Sequence, residues 1–423
     1  AILRQAGCRF FGPAIESWFI QIMAFPILLV SAFFTMADQV ESAPRQINLR
    51  MSWGFRTPDC VERSPLVLVN DVFPGPILRL KVGEEVDIFL KNDLEGVATT
   101  LHWHGFDQLG RPWEDGAAYS SDCPVAPGTF RHYVIKAPEK PGTHYYHGHT
   151  GLAKEAGANG MLLVDPADDA EWPDAMRHDG DVPLLIQDWY HAPALSLIAG
   201  LGQSKFRWAG DPQSILVNGR GHFNCSDNNV YDCDDMGQCT SKGTTVCTAK
   251  EQPYYLPPRK GAPNCADANC PGLFEVNVEL GKTYLLRVAN GGSLNMLSFA
   301  VEKHNLTLVE IDGEPTKPLQ ASSFDLHSGQ RAGLLLKADQ MMGVYWISVK
   351  IRGRNSPRMG KALLKYMGGL NTLTGIMADQ ALAEARLTTL RSQQPAWDDT
   401  EFTLLQNQQM EHPEANGAPK PED

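Results

Sequence analysis

Two short histidine clusters carry the chemistry legible in this chain, His102-Trp103-His104-Gly105 and His144-Tyr145-Tyr146-His147-Gly148-His149. In an extended strand alternate side chains share one face, with roughly 6.5–7 Å between their Cα atoms. His102 and His104 therefore project together, and so do His147 and His149. Two such strands side by side would bring four imidazoles to one place. Imidazole suits copper, iron, zinc and nickel. A structural zinc site usually includes thiolates, and no cysteine or carboxylate pair stands beside these histidines. A single His-x-His is more often solvated, or satisfied in a core, than a ligand. Two pairs, each followed closely by glycine, predict a joint metal site. His144 lies three residues before His147 and faces the other side of a regular strand. It is expected to be a satisfied structural histidine, outside the site. His132, His178, His191, His222, His304, His327 and His412 are isolated and read as structural or exposed.

The elements that must hold these histidines are strands. From about residue 45 apolar and polar residues alternate with the period of two of half-buried strands. Candidates in a first block are Pro65–Val69, Ile77–Val82, the Val86/Ile88/Leu90 run, Arg131–Ala137, His144–Tyr146 and Gly160–Val164. Turns fall at Pro74-Gly75-Pro76, Gly83-Glu84 and Asn92-Asp93. A second block contains Val182–Ile186, Ser214–Val217, Phe274–Val278, Thr283–Val288, Thr307–Ile311, Ala332–Lys337, Val344–Val349 and Leu363–Tyr366. Short, evenly spaced strands without intervening amphipathic helices predict an all-β fold of two β-sandwiches. They occupy residues 44–167 and 180–370, and the second carries a cysteine-rich insertion over 225–270. The two blocks could be distant copies of one unit. Residues 371–423 read as a linker, with a helix over Met377–Leu390 and a polar, Pro-rich end.

Composition narrows the setting. The 423 residues carry a net charge of −12 with no basic run, which argues against a nucleic-acid or anionic-membrane partner. Arg4 and Arg9 precede a mostly apolar run, Trp18 to Ala37, followed by small residues, so residues 1–43 read as a cleaved secretion signal. A membrane association is expected only if that segment stays on as an anchor. Eight of the nine cysteines lie beyond it, and sequons begin at Asn224 and Asn305, in keeping with an oxidising, extracellular or cell-wall location.

At the histidines the sequence resembles a known family. HWHG, PWEDG, HYYHGHTG and GANGMLLVDP, with the earlier VNDVFPGPILRLKVGEEV, are similar to the first cupredoxin-like Greek-key domain of multicopper oxidases. In the second block FRWAGDPQSILVNGRGHFNC and YWISVKIRGR resemble the plant ascorbate-oxidase branch more than laccases or ferroxidases. The resemblance covers residues 45–370. It implies a trinuclear copper cluster at which dioxygen is reduced to water with electrons from a small substrate, ascorbate or, as runner-up, a phenol. His102 matches the type 2 copper ligand; His104, His147 and His149 match ligands of the type 3 pair. Asp115 matches an acidic residue placed near the cluster for proton delivery, and Trp208 an aromatic that stacks on the reducing substrate. Cys60 is expected to pair with Cys270, and Cys225 with Cys265. Cys123 matches a cysteine whose partner lies in a third domain, and so is expected to be unpaired. Cys233, Cys239 and Cys247 exceed the family pattern, and their connectivity stays open.

That third domain supplies a His-x-x-His-x-His and a His-Cys-His segment, the latter for the type 1 copper that admits electrons. Beyond His144–His149 no further His-x-x-His-x-His occurs here, and there is no His-Cys-His. The resemblance therefore implies that these residues by themselves are not a competent oxidase. The alternative is a non-catalytic copper-binding cell-wall protein on the same scaffold.

Overall fold

Along Glu85–Asn92 every second side chain is buried, as the period of two requires. The same logic builds most of this computed structural model, which describes residues 44–168, 170–204, 209, 211–223, 231–233, 239–241, 272–353 and 358–367. The signal segment, the linker helix, Trp208, Cys225, Cys265 and Cys270 lie outside the described residues. Among those described, no helix is long and apolar enough to cross a membrane.

The first eight strands are β1 (Arg45–Arg56), β2 (Arg63–Val69), β3 (Leu78–Lys81), β4 (Glu85–Asn92), β5 (Leu101–His104), β6 (Phe130–Lys136), β7 (Gly142–Gly148) and β8 (Asn159–Asp165). They form sheets ordered β2-β1-β4-β6 and β3-β8-β7-β5. Leu49, Met51, Ile88 and Tyr133 from one sheet meet Leu80, Trp103, Tyr146 and Leu162 from the other in a single core.

The second sandwich contains β9 (Gly180–Trp189), β10 (Ser214–Val217), a small hairpin of β11 (Tyr231–Cys233) and β12 (Cys239–Ser241), then β13 (Phe274–Glu279), β14 (Thr283–Asn290) and β15 (Met296–Val301). It continues through β16 (Leu306–Ile311), β17 (Glu314–Ala321), β18 (Ser323–Leu326), β19 (Arg331–Lys337), β20 (Val344–Arg352) and β21 (Met359–Met367). Its sheets run β10-β9-β14-β19-β16-β17 and β13-β21-β20-β15-β18. The pairing of the first sandwich is repeated: β9 lies parallel to β14 as β1 does to β4, and β13 parallel to β21 as β3 does to β8. The topology thus favours two copies of one unit, the second extended by β16–β18. Strands β15 and β20, which stand where β5 and β7 stand in the first copy, contain no histidine.

Several elements depart from expectation, β18 and the β11–β12 hairpin among them. A helix, α1 (Ala194–Gly202), interrupts the second block; its sequence is apolar almost throughout, so no amphipathic period announced it. Strand β15 is buried along nearly its whole length and shows no alternation. Strand β17 contains two prolines, which its position at a sheet edge tolerates.

The sandwiches pack sheet against sheet. Tyr145, Met161 and Leu163 on the outer face of β7 and β8 meet Leu185 and Ala289 on β9 and β14. Strand β7 is consequently buried on both faces. Charged groups of the second sandwich grip its first residues. Arg287 on β14 donates to the Gly142 and Val164 carbonyls and pairs with Asp165 at 2.6 Å. Glu310 accepts from the Thr143 N–H at 2.7 Å and the Thr143 hydroxyl at 2.8 Å. A bulge in β16 between Leu308 and Glu310 aims that carboxylate at β7. Arg331 donates Nε–H to the Thr143 carbonyl at 3.2 Å. A second buried contact joins the sandwiches at Asp59, which receives His191 Nε2–H at 2.7 Å and the Ser214 hydroxyl.

Candidate metal centre

Strands β5 and β7 are antiparallel neighbours, and their register sets His102 opposite His147, Trp103 opposite Tyr146 and His104 opposite Tyr145. Opposed residues share a face of the sheet. Trp103 and Tyr146 therefore point into the core, and the three histidines with Tyr145 point away from it. His149 follows the end of β7, kept beside the entry to β5 by its N–H on the Thr100 carbonyl at 3.3 Å. The His102 ring centroid lies 5.4 Å from that of His104, 5.3 Å from His147 and 5.1 Å from His149. All four histidines singled out in the sequence come together. Strand β7 itself is longer than expected, starting at Gly142 rather than His144.

One nitrogen of His102 and one of His147 are already committed. His102 Nδ1–H donates to the Asp115 carbonyl at 2.8 Å, and His147 Nδ1–H to the Gly148 carbonyl at 3.0 Å. That leaves their Nε2 lone pairs for the cluster. His104 presents Nδ1 instead, 3.2 Å from His147 Nε2. Two nitrogens bound to one ion at about 2.0–2.1 Å would subtend roughly 100° at that spacing. Ligand nitrogens of His102, His104 and His147 all lie within 4.8 Å of one another. The donors fit a transition metal that prefers imidazole.

Electrostatics keep these rings neutral, the state in which imidazole binds metal. Burial pulls His104 down to about 3, helped by Arg331, His102 and Lys154. Burial also lowers His102, opposed by Asp115, and lowers His147 well below the usual range, opposed by the Gly148 carbonyl. Lys154 is held against the second sandwich by the Gly292 carbonyl at 3.0 Å.

Asp115 sits against the site. Its carboxylate is 3.2 Å from His102 Nδ1 and 27 % exposed, so it touches both the ring and solvent. The short 3₁₀ turn Pro112–Glu114 delivers it, tied to β5 by the Trp103 indole N–H on the Glu114 carbonyl at 3.0 Å. Gly116 follows with φ +76°, and a methyl group there would overlap the Leu101 carbonyl oxygen. Only glycine allows that approach.

His144 corrects one expectation. It does face away from the cluster, but it is not satisfied. Neither ring nitrogen makes a well-formed hydrogen bond among the described residues, and only the His104 main chain comes near one. The ring is wedged at the seam against Phe106, with centroids 5.0 Å apart. Burial, Arg331 and Arg287 push its pKa well down, opposed only by the His104 backbone. Cys123 corrects another: it is in a disulfide, as is Cys60, each with a partner outside the described residues. The isolated histidines behave as expected where described. His132 pairs with Asp87, His191 with Asp59, and His304 with the Tyr366 hydroxyl.

Sequence reading missed three residues at the site. Tyr145 stacks on both His104 and His147, with centroids 4.7 Å and 5.1 Å away. Its position two before His147 could have placed it on that face. Lys154 and Arg331 carry no local signal, because their relation to the site depends on how the sandwiches meet.

Fold and site together define a class: tandem cupredoxin-like sandwiches with a polyhistidine centre on the first. The chain belongs to the multicopper oxidase family, whose models match residues 50–169 and 180–369. It is similar to the L-ascorbate oxidase of Brassica rapa subsp. pekinensis, at 37% identity over 331 residues, covering 78% of this chain and 53% of that protein. It is likewise similar to the L-ascorbate oxidase of Cucurbita maxima, at 33% identity over 413 residues, covering 97% of this chain and 63% of that protein. Among solved structures, the laccase from Botrytis aclada matches with a TM-score of 0.59 at 26% identity, covering 77% of this chain and 53% of that one. The chain thus spans little more than half the length of several relatives. Copper is the metal this family implies.

Proposed function

We propose that this chain carries half of a trinuclear copper centre, and that the whole protein couples one-electron oxidation of a small reductant to four-electron reduction of dioxygen to water. The observation that carries this reading is the register of β5 on β7, which opposes His102 to His147 and sets His104 Nδ1 3.2 Å from His147 Nε2. Copper would supply the one-electron chemistry that the side chains lack. His102 would bind the type 2 ion, and His104, His147 and His149 the type 3 pair. Asp115 would hold His102 in orientation and move protons, since its carboxylate lies between that ring and solvent. Ascorbate is the proposed reductant, supported by the motifs around Trp208 and by the ascorbate oxidases among the relatives. A phenol is the alternative, supported by the laccase likeness. Secretion fits the disulfides at Cys60 and Cys123 and the exposed sequon residue Asn305.

No cysteine of the chain adjoins a histidine. Electron entry and the remaining ligands are therefore proposed to come from outside residues 1–423, and these residues alone to bind copper without turnover. The test is copper analysis, electron paramagnetic resonance and oxygen uptake on the purified chain. Bound copper that depends on the four histidines, with no uptake on adding ascorbate, is the expected result. Failure to bind copper would overturn the reading.

A further inference from the structure

Every ligand candidate lies on the first sandwich, yet a turn of the second one reaches His104. Residues 327–330 join β18 to β19, and Gly329 is buried at the tip of that turn. The turn is fixed in place. Gly329 N–H donates to the Asn290 carbonyl at 2.8 Å, Asn290 N–H donates to the Gln330 carbonyl at 2.9 Å, and Arg331 donates to the Gly329 carbonyl at 3.1 Å. A methyl group on Gly329 would stand 3.1 Å from His104 Cε1 and 3.2 Å from His104 Nε2. Gly329 thus stands beside the Cε1–Nε2 edge of the ring with less room between them than a methyl group needs, while Tyr145 stacks on its face. Nδ1, the other ring nitrogen, is the one left to meet His147.

We infer that Gly329 is a positioning residue for His104: the second sandwich acts as a backstop that closes the Nε2 edge of the ring and presents Nδ1 to the metal. The inference rests on the proposed copper centre. It explains why His104 offers the nitrogen opposite to the one His102 and His147 offer. Those two rings are oriented by main-chain carbonyls of their own sandwich; His104 is oriented by contact across the seam. Outer contacts of this kind typically change metal affinity by about 10- to 100-fold when disturbed.

Gly329 has φ +88°, so alanine there adds backbone strain as well as the contact. Gly281 isolates the two effects. It has the same φ, +88°, lies in the same sandwich, and a methyl group on it would meet nothing within 4 Å. Cu(II) affinity is measured for the purified chain by chelator competition, beside thermal melting, for wild type, Gly281→Ala and Gly329→Ala. Gly329→Ala should lose at least as much thermal stability as Gly281→Ala, and only Gly329→Ala should bind Cu(II) about tenfold or more weakly. Its paramagnetic signal should shift as well. Gly329→Asn, whose side chain tolerates a left-handed backbone better, presses on the same ring if the alanine variant does not fold. Equal Cu(II) affinity in Gly329→Ala and Gly281→Ala overturns the backstop and leaves the copper centre standing. If wild type takes up no Cu(II), the copper reading falls by itself. A crystal structure of metal-free Gly329→Ala then decides the positioning: a displaced His104 ring supports it, and an unmoved ring overturns it.

Discussion

Replacing Arg287 by methionine tests whether the seam between the sandwiches holds β7. The guanidinium has 0 % exposure and spans the seam. Methionine keeps much of the aliphatic volume and removes every donor. The Gly142 and Val164 carbonyls lose a buried partner each. An unsatisfied buried group costs about 1–3 kcal/mol, so the two together cost about 2–6 kcal/mol. Asp165 adds little, because it keeps Arg79 at 3.1 Å and remains partly solvated. That range brackets the roughly 3–5 kcal/mol typical of breaking a buried ion pair from one side. Equilibrium urea unfolding should show that loss. Hydrogen exchange should locate it, with the amides of Thr143 and Tyr145 exchanging at least about 30-fold faster, at about 1.4 kcal/mol per factor of ten. Amides of β4, in the opposite sheet, should change least. A loss under about 1 kcal/mol, or acceleration spread evenly over both sandwiches, would refute the idea that Arg287 anchors β7.

Three further outcomes follow from single contacts. His102→Ala should leave the melting temperature nearly unchanged while lowering copper stoichiometry in elemental analysis, since the ring faces the cluster rather than the core. Gly116→Ala should cost more than about 1 kcal/mol in thermal unfolding, because φ is +76° and the added methyl meets the Leu101 carbonyl. It should also shift the His102 ring signals in NMR, by moving Asp115. Asp59 is fully buried, and although burial pushes its carboxyl up, His191, Ser214 and the Val61 N–H together hold it below 3.8. A depressed carboxyl stabilises the fold above its unfolded value and loses that contribution as pH falls through the folded one. Urea unfolding of wild type and Asp59→Asn should therefore differ most above about pH 4 and converge in more acidic buffer; a difference independent of pH from 2 to 6 would contradict this sign.

The local pattern of residues was sufficient for most of the strands and for the four histidines. Strand periodicity acts over a few residues, and a His-x-His on an extended segment must place both rings on one face whatever the rest of the chain does. The same rule put His144 on the other face, and could have added Tyr145. It failed where burial is two-sided, as in β15, and where an apolar stretch has no period to read, as in α1.

What the tertiary structure alone decided is the meeting of residues far apart in the chain. Register between β5 and β7 opposes His102 to His147; a slip of one residue would have turned one pair into the core. The seam between sandwiches brings Arg287, Glu310, Gly329 and Arg331 to β7 and His104 across more than a hundred positions of sequence. It also sets Gly313 of the second sandwich against the His144 ring, a contact that no local signal contains. Contacts of this kind depend on the relative placement of two completed sheets, which side-chain alternation along one strand does not encode.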